Sequence, residues 1–571
     1  MSIAASPEHA TAVAARPARR LLSEERIANG LLLVLCLALV VGIVLPLWTL
    51  LSKAFLNAAG QFVGLANFGA YFSNPILMDS LFNSVWVAVL STAIVIPLAF
   101  TYAYALTRTC MPAKPFFYAL ALLPLFAPSL MSALSLVYIF GNQGFAKGLL
   151  FGHSIYGPIG IVISQVTYTF PHAMLILVTA LSISDGRLYE VADALGTPKR
   201  RIFFTVTLPG ARYGLISAAF VVFTLVITDF GIPKVIGGQF NVLATDVYRA
   251  VVGQQNFEMG AVVGMILLVP AILAFVVDRA TNRRQVALLS ARAVPYQPKP
   301  SSRRDLGFTA YCLFVGLLLA VALGIAIWAS FIKYWPYNLS LTLNNYNFQR
   351  YEPMGWAPYF TSLQMAALTA IIGTAIIFTG AYLIEKTQAS PVMRAFAHFL
   401  AMMPVAVPGL VLGLGYIFFF NAPWNPLNFL YATLAILVIN TVTHFYTVSH
   451  ITCLTALKQI DREFEAVSAS LKVPFWRTFR RVTVPICMPA ILDVAVYMFV
   501  NALTTVSAVI FLYGAGTKLA SISIVHMDEA GFIAGAAAMA TLLVGTAIGV
   551  KALHIVLDRF VFGRLQAWRQ R

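Results

Sequence analysis

Charged residues make up only 10% of the 571 in this chain, too little polar surface to clothe a soluble globule of that size. The five cysteines, Cys36, Cys110, Cys312, Cys453 and Cys487, show no CxxC spacing, so neither a disulfide framework nor a metal cluster is supported. No lysine follows a glycine, and a Walker A loop, which requires Gly-Lys before Ser or Thr, is therefore missing. The nearest lookalike, Gly514-Ala-Gly516-Thr-Lys518, has the wrong order. His444 and His450 are six residues apart, well separated around a helix, while His172 and His398 stand alone, so no ligand cluster emerges. Convergent nucleophiles or acid–base pairs are also lacking, which argues against a membrane-embedded enzyme.

What the chain has instead is apolar length. Hydrophobic residues reach 60%, and runs of about 20 residues, enough to cross a bilayer, begin near positions 28, 81, 116, 157, 211, 259, 307, 359, 396, 429, 488 and 532. The expected fold is an all-α integral membrane protein with about twelve spans. Its 38 basic residues are distributed unevenly. With the N-terminus in the cytoplasm, 31 fall on that side and seven outside: Lys53, Lys147, Lys234, Arg249, Lys333, Arg350 and Lys518. That bias predicts cytoplasmic termini and removes the reason to invoke nucleic acid for a net charge of +17. Trp48, Trp86, Trp328, Trp335, Trp356 and Trp424 fall at or beyond the predicted outer ends, where amphipathic rings favour the interface.

The chain repeats itself. Twelve of the thirty-one residues from Thr179 to Pro209 recur without a gap from Thr455 to Pro485, 276 positions later. Among them are Val191/Val467, Leu195/Leu471, Pro198/Pro474, Arg201/Arg477, Phe203/Phe479 and Pro209/Pro485. Six spans separate the copies, so the halves share one orientation, related by an axis along the membrane normal. The expected boundaries are a cytoplasmic tail at 1–26, a first half at 27–278, a linker at 279–306, a second half at 307–556 and a cytoplasmic tail at 557–571. Pro124-Leu-Phe-Ala-Pro128 is answered by Pro404-Val-Ala-Val-Pro408. Proline within a span frees a carbonyl, which fits either a packing kink or a gate beside a water-filled path. Asp229 and Thr505 join these prolines as pathway candidates. An intramembrane carboxylate is a functional candidate by default, although Asp229 precedes Gly231 and Pro233 closely enough to serve a helix end.

Both repeated segments, about 183–209 and 456–485, are basic islands between spans. In the first, Glu190 is followed by Gly196 six residues on and Pro209 thirteen after that. This spacing resembles the EAA loop of binding-protein-dependent ABC importer permeases, and the chain is most like their fused, double-length type. The resemblance implies a helix-turn-helix on the cytoplasmic face that docks into an ATPase subunit. Glu190, Gly196, Pro198, Arg201, Phe203 and Pro209 would be coupling residues, with Glu465, Pro474, Arg477, Phe479 and Pro485 in the second loop. Glu190 would pair with a basic group, and Phe203 and Phe479 would supply apolar anchors. For Lys199, Arg200, Arg480 and Arg481 the plainer reading is positive-inside charge. The second loop departs from the pattern, with Lys472 at the Gly position, Ala466 at the Glu position and Glu465 one residue early. Its docking geometry is expected to differ.

The resemblance further implies two copies of a cytoplasmic ABC ATPase, a periplasmic binding protein, and residence in a bacterial inner membrane, with one copy of this chain supplying both membrane halves. No cofactor is expected on this chain, since ATP and Mg would sit on the ATPase. For the substrate, Thr228-Asp229-Phe230-Gly231 looks like an element of iron(III) permeases, whereas Leu471-Lys-Val-Pro474-Phe-Trp-Arg477 and Ala502–Tyr513 look more like 2-aminoethylphosphonate permeases. The expectation adopted is 2-aminoethylphosphonate, with iron(III) as the alternative. An ion-coupled secondary transporter is the rival of another class. Its major-facilitator form would place Asp-Arg-x-Gly-Arg-Arg between the second and third spans, where Arg108-Thr-Cys-Met-Pro-Ala-Lys114 stands instead.

Overall fold

A computed structural model describes residues 17–288, 294, 296–461 and 463–562. Parts of the predicted tails (1–16 and 563–571) and of the linker (289–293 and 295) lie outside the described residues. Helices dominate, and the apolar runs become spans in the expected order. Eight are continuous: Glu24–Lys53, Pro75–Arg108, Pro158–Ser182, Lys199–Thr228, Phe257–Val277, Ser302–Ser330, Ala357–Lys386 and Ile533–Phe560. Four more are bent pairs, giving twelve when each pair counts once. Helix starts follow local chemistry. Asn74 accepts the Ile76 N–H at 3.0 Å ahead of Pro75, which satisfies an orphan donor and uses a proline where its missing N–H costs nothing.

The bends are far larger than a packing kink. The third span breaks by 97° between Lys114–Phe126 and Ser129–Phe140, and the ninth by 112° between Pro391–Ala406 and Gly409–Phe420. In each a short 3₁₀ turn holds the first proline, the next residue is extended (Ala127, Val407), and the second proline caps the following helix with ψ near 140°. Proline disfavours helical geometry at the residue before it, and Ala127 and Val407, ahead of the second prolines, take the extended conformation that ends one helix and starts the next. The tenth span bends by 56° at Phe445 and the eleventh by 76° at Cys487. Pro489 accounts for the latter, because it lacks the N–H that would continue the helix from Pro485. The first half has Tyr213 at the equivalent place and stays straight through Lys199–Thr228.

Within the first half, the second, fourth and fifth spans pack together, and the sixth lies against the fifth. The first spans are exchanged. Helix Pro17–Leu39 packs on Pro391–Met402 of the second half, and Asn29 Oδ1 accepts the Ser390 N–H at 2.9 Å. Conversely, Ser302–Ser330 packs on the third span of the first half, where Ser135 Oγ accepts the Ala326 N–H at 3.2 Å, and reaches the second span, where Tyr311 donates to the Leu98 carbonyl at 2.8 Å. The all-helical expectation misses a small antiparallel hairpin, Ile332–Tyr334 with Asn338–Leu341, after the seventh span. Trp335 lies beside it and packs against Tyr138, Phe145 and Trp328 at ring separations of 5.4–5.9 Å.

Candidate functional site

The two repeated loops share one backbone frame. Asp185 and Asp461 accept the N–H two residues on, at 3.0 and 3.1 Å, and each opens a short helix, Arg187–Ala194 or Glu463–Ser470. Both helices end in a left-handed residue, Gly196 with φ 66° and Lys472 with φ 52°. The next N–H, of Thr197 or Val473, returns to Ala192 O or Ser468 O at 3.0 Å, closing the helix end. Pro198 and Pro474, with φ of −64° and ψ of 143° and 145°, cap the following helices, and Pro209 and Pro485 sit in the first turn of the next segments. The second loop therefore keeps the backbone of the first despite its departures in residue type. Lysine adopts the glycine conformation at a steric cost.

The halves differ in how each loop is tied down. Arg108, buried at the end of the second span, donates to the Leu181 carbonyl at 2.6 Å and to Ser184 Oγ. Its guanidinium lies 5.0 Å from the Tyr189 ring centroid and 4.8 Å from that of Tyr296. Tyr189 donates to Thr207 Oγ1 at 3.0 Å. Tyr296 comes from the linker, which runs over this loop. Val294 O accepts the Gly186 N–H at 2.8 Å, and Lys299 pairs with Asp193 at 2.9 Å. In the second half Lys386 occupies the place of Arg108. It donates to the Ile460 carbonyl at 3.1 Å and pairs with Glu465 at 2.9 Å. Glu465 is the counterpart of Tyr189, and it turns inward.

Phe203 and Phe479 also turn inward. Phe203 packs on Phe100 and Tyr104 at 6.1 and 5.9 Å, and Phe479 on Phe378 and Tyr382 at 5.7 and 4.7 Å. The expectation that these rings anchor an outside partner is corrected: each fastens its loop to the second span of its own half. What each loop exposes is a different apolar stripe. Leu188, Val191 and Leu195 stand out from the first helix, and Phe464, Val467 and Leu471 at the equivalent positions of the second. Leu195 and Leu471 are 77% and 70% exposed, although positions i, i+3 and i+7 ordinarily mark a face that packs. Glu190, Arg201 and Arg477 are exposed as well. The repetition of Val191/Val467 and Leu195/Leu471 inside a polar loop is the sequence signal for this stripe.

The pathway candidates meet at the breaks. Asp229 ends the fifth span in an extended conformation (φ −72°, ψ 128°), and Thr505 ends the eleventh likewise (φ −66°, ψ 138°). The Asp229 carboxylate accepts from Gln165 Nε2 at 3.0 Å and from the Ile232 N–H at 2.9 Å, so it serves a helix start within the first half's break region. A Cβ on Gly231 would stand 2.8 Å from Ser129 Oγ, next to Pro128, and one on Gly409, next to Pro408, would stand 3.0 Å from Ser507 Oγ. The Pro124–Pro128 break thus abuts the turn at Asp229, and the Pro404–Pro408 break abuts the turn after Thr505. His398 and His450, distant in sequence, approach to 3.3 Å.

Two segments, 96–286 and 377–561, match the family described as binding-protein-dependent transport system inner membrane component. A putative ferric transport system permease protein of Haemophilus influenzae is 27% identical over 460 residues, covering 78% of this chain and 71% of its own. A ferric transport system permease protein of Actinobacillus pleuropneumoniae is 28% identical over 493 residues, covering 82% and 69%. A thiamine transport system permease protein of Brucella abortus is 24% identical over 441 residues, covering 75% and 76%.

Proposed function

The chain belongs to the binding-protein-dependent transport system inner membrane component family, and we propose that it is the membrane subunit of an ATP-driven importer of iron(III). Two relatives that span about 70% of their own length with this chain carry ferric names, which supports iron over the 2-aminoethylphosphonate expected from the second-half motifs. The observation that carries the importer reading is the pair of loops, each with the same left-handed turn and the same exposed apolar triplet. A pair of loops with one backbone frame and apolar residues at matching positions fits two copies of one ATPase, one per half, with one copy of this chain supplying the whole membrane portion. A periplasmic binding protein would deliver the substrate from the other face, and ATP with Mg would be held by the ATPase.

In this reading the loops lie in the cytoplasm of a bacterial cell, as does each terminus, which agrees with the distribution of basic residues. Closure of the ATPase pair draws the loops together. Arg108, bonded to Ser184 and stacked over Tyr189, and Lys386, bonded to the Ile460 carbonyl, pass that movement to the second span of their half. The exchanged first spans carry it across to the other half, and the proline breaks facing Asp229 and Thr505 lie where the path opens. The test is uptake of labelled iron(III) into proteoliposomes containing this chain, its ATPase and its binding protein. Uptake that requires ATP and all three components is expected. Uptake of 2-aminoethylphosphonate instead would replace the substrate, and gradient-driven uptake by the chain alone would replace the class.

A further inference from the structure

At the end opposite the loops, the first half holds a cavity of about 250 Å³. Its lining includes Lys234, Phe240, Asn241, Thr245, Tyr248 and Arg249, and no carboxylate. Each cation is paired with a carboxylate outside the lining, and Lys234 also faces Asp528. Arg249 donates to Asn241 Oδ1 at 2.5 Å and lies 3.7 Å from Asp246 Oδ1, on the same short helix. Lys234 lies 4.7 Å from the Tyr248 ring centroid, and its counter-ion is Glu529 at 2.5 Å. Glu529 belongs to the second half. The negative charge that balances this first-half cavity is therefore borrowed across the boundary between the halves, from helix Ala520–Glu529.

We propose that this cavity is an oxyanion subsite whose charge is switched by the separation of the halves. While the outer end is closed, Glu529 occupies Lys234. When the halves part there, Lys234 loses Glu529 and keeps its place beside Arg249, Asn241 and Thr245, so two cations and two neutral hydrogen-bonding side chains face a cavity wide enough for a small oxyanion and several waters. Charge-assisted hydrogen bonds from such a pair favour phosphate- or carboxylate-type oxygens. The switching role rests on the importer reading, in which the outer end opens. Iron(III) is a hard cation that takes oxygen ligands, and an oxyanion travelling with it would find this subsite in the outward-open form and be expelled as Glu529 returns.

The experiment is calorimetric titration of inorganic phosphate into the full-length chain in nanodiscs of zwitterionic lipid at low ionic strength, with chloride as control. Glu529→Gln frees Lys234 without opening the molecule and is expected to tighten phosphate binding about fivefold or more, the scale of one partly exposed ion pair. Lys234→Gln or Arg249→Gln placed on that background should abolish the gain, and Arg249→Lys should retain part of it. Absence of phosphate binding in Glu529→Gln would overturn the proposal, as would binding indifferent to both Lys234→Gln and Arg249→Gln. No ATPase is needed, so failure leaves the importer reading intact. Binding that survives alongside absent ATP-driven uptake would count against that reading alone.

Discussion

Lys386 Nζ lies 2.9 Å from Glu465 Oε1 and 3.1 Å from the Ile460 carbonyl, in the place where the first half sets Arg108 against the Leu181 carbonyl. The lysine side chain is only 6% exposed. Replacing it by methionine leaves the carbonyl and Glu465 without their donor, and a loss of about 1–2 kcal/mol is expected because Glu465 keeps some water. Thermal unfolding of Lys386→Met, Glu465→Gln and the double variant measures this. A coupling near zero in that cycle would remove the ion pair as an anchor.

The exposed stripes should matter to the partner and not to the fold. Val191→Asp and Val467→Asp are expected to leave unfolding temperature unchanged while reducing ATPase stimulation by the binding protein about tenfold or more, as for a central interface residue. Glu190→Lys should abolish that stimulation with membrane insertion intact. Normal stimulation in all three would disconnect these helices from the ATPase.

Gly196 and Lys472 hold the same left-handed turn with opposite suitability. A Cβ at Gly196 meets nothing within 4 Å, and φ is 66°, so Gly196→Ala carries conformational strain alone, about 1 kcal/mol of destabilisation. Lys472→Gly removes that strain and should stabilise by a similar or smaller amount, about 0.5–1 kcal/mol. Unfolding shifts of the same sign for both would contradict the shared backbone.

Asp528 gives the outer end a pH response. Burial pushes its carboxyl up to about 7, Glu529 adds like charge, and Lys234 opposes the rise from across the boundary. Tyr138 and Tyr156 also face it. The closed form therefore favours the neutral acid. That contribution is full below the ordinary carboxylate range and is lost as pH rises through about 7. Spin labels at Gln239→Cys and Ala530→Cys, in a cysteine-free background, should show a larger separated population at pH 8.5 than at pH 5.5, and Asp528→Asn should flatten the difference. An unchanged profile in Asp528→Asn would exclude this residue.

Local chemistry made much of this molecule readable before its structure. Apolar length located the spans and the 276-residue offset located the repeat, while the two proline pairs, which suited either a kink or a gate, mark two of the four bent spans among the described residues. Facing was harder to read. Phe203 and Phe479 looked like outward anchors because aromatic rings in a polar loop need a partner; that partner is the second span, whose Phe100 and Phe378 lie far away in sequence. Lys472 looked like a departure because residue type is a weaker constraint than backbone geometry when the penalty is about 1 kcal/mol. The linker's hold on the first loop through Tyr296, and the exchange of first spans, depend on contacts between remote segments that no periodicity encodes.

That exchange sets an order of assembly. The helix Pro17–Leu39 is synthesised before the surface it packs on, Pro391–Met402, which lies about 350 residues later. At ribosomal rates of roughly 5–20 residues per second, that surface emerges on the order of 20–70 s afterwards. Ser302–Ser330, by contrast, finds its groove on the third span already made. Until its own surface emerges, Pro17–Leu39 sits in the bilayer without its second-half partner, held to the first half through the outer end of its span, where Lys53 pairs with Glu258, and a truncated first half would leave that flank to any chaperone, protease or stray helix that can recognise it.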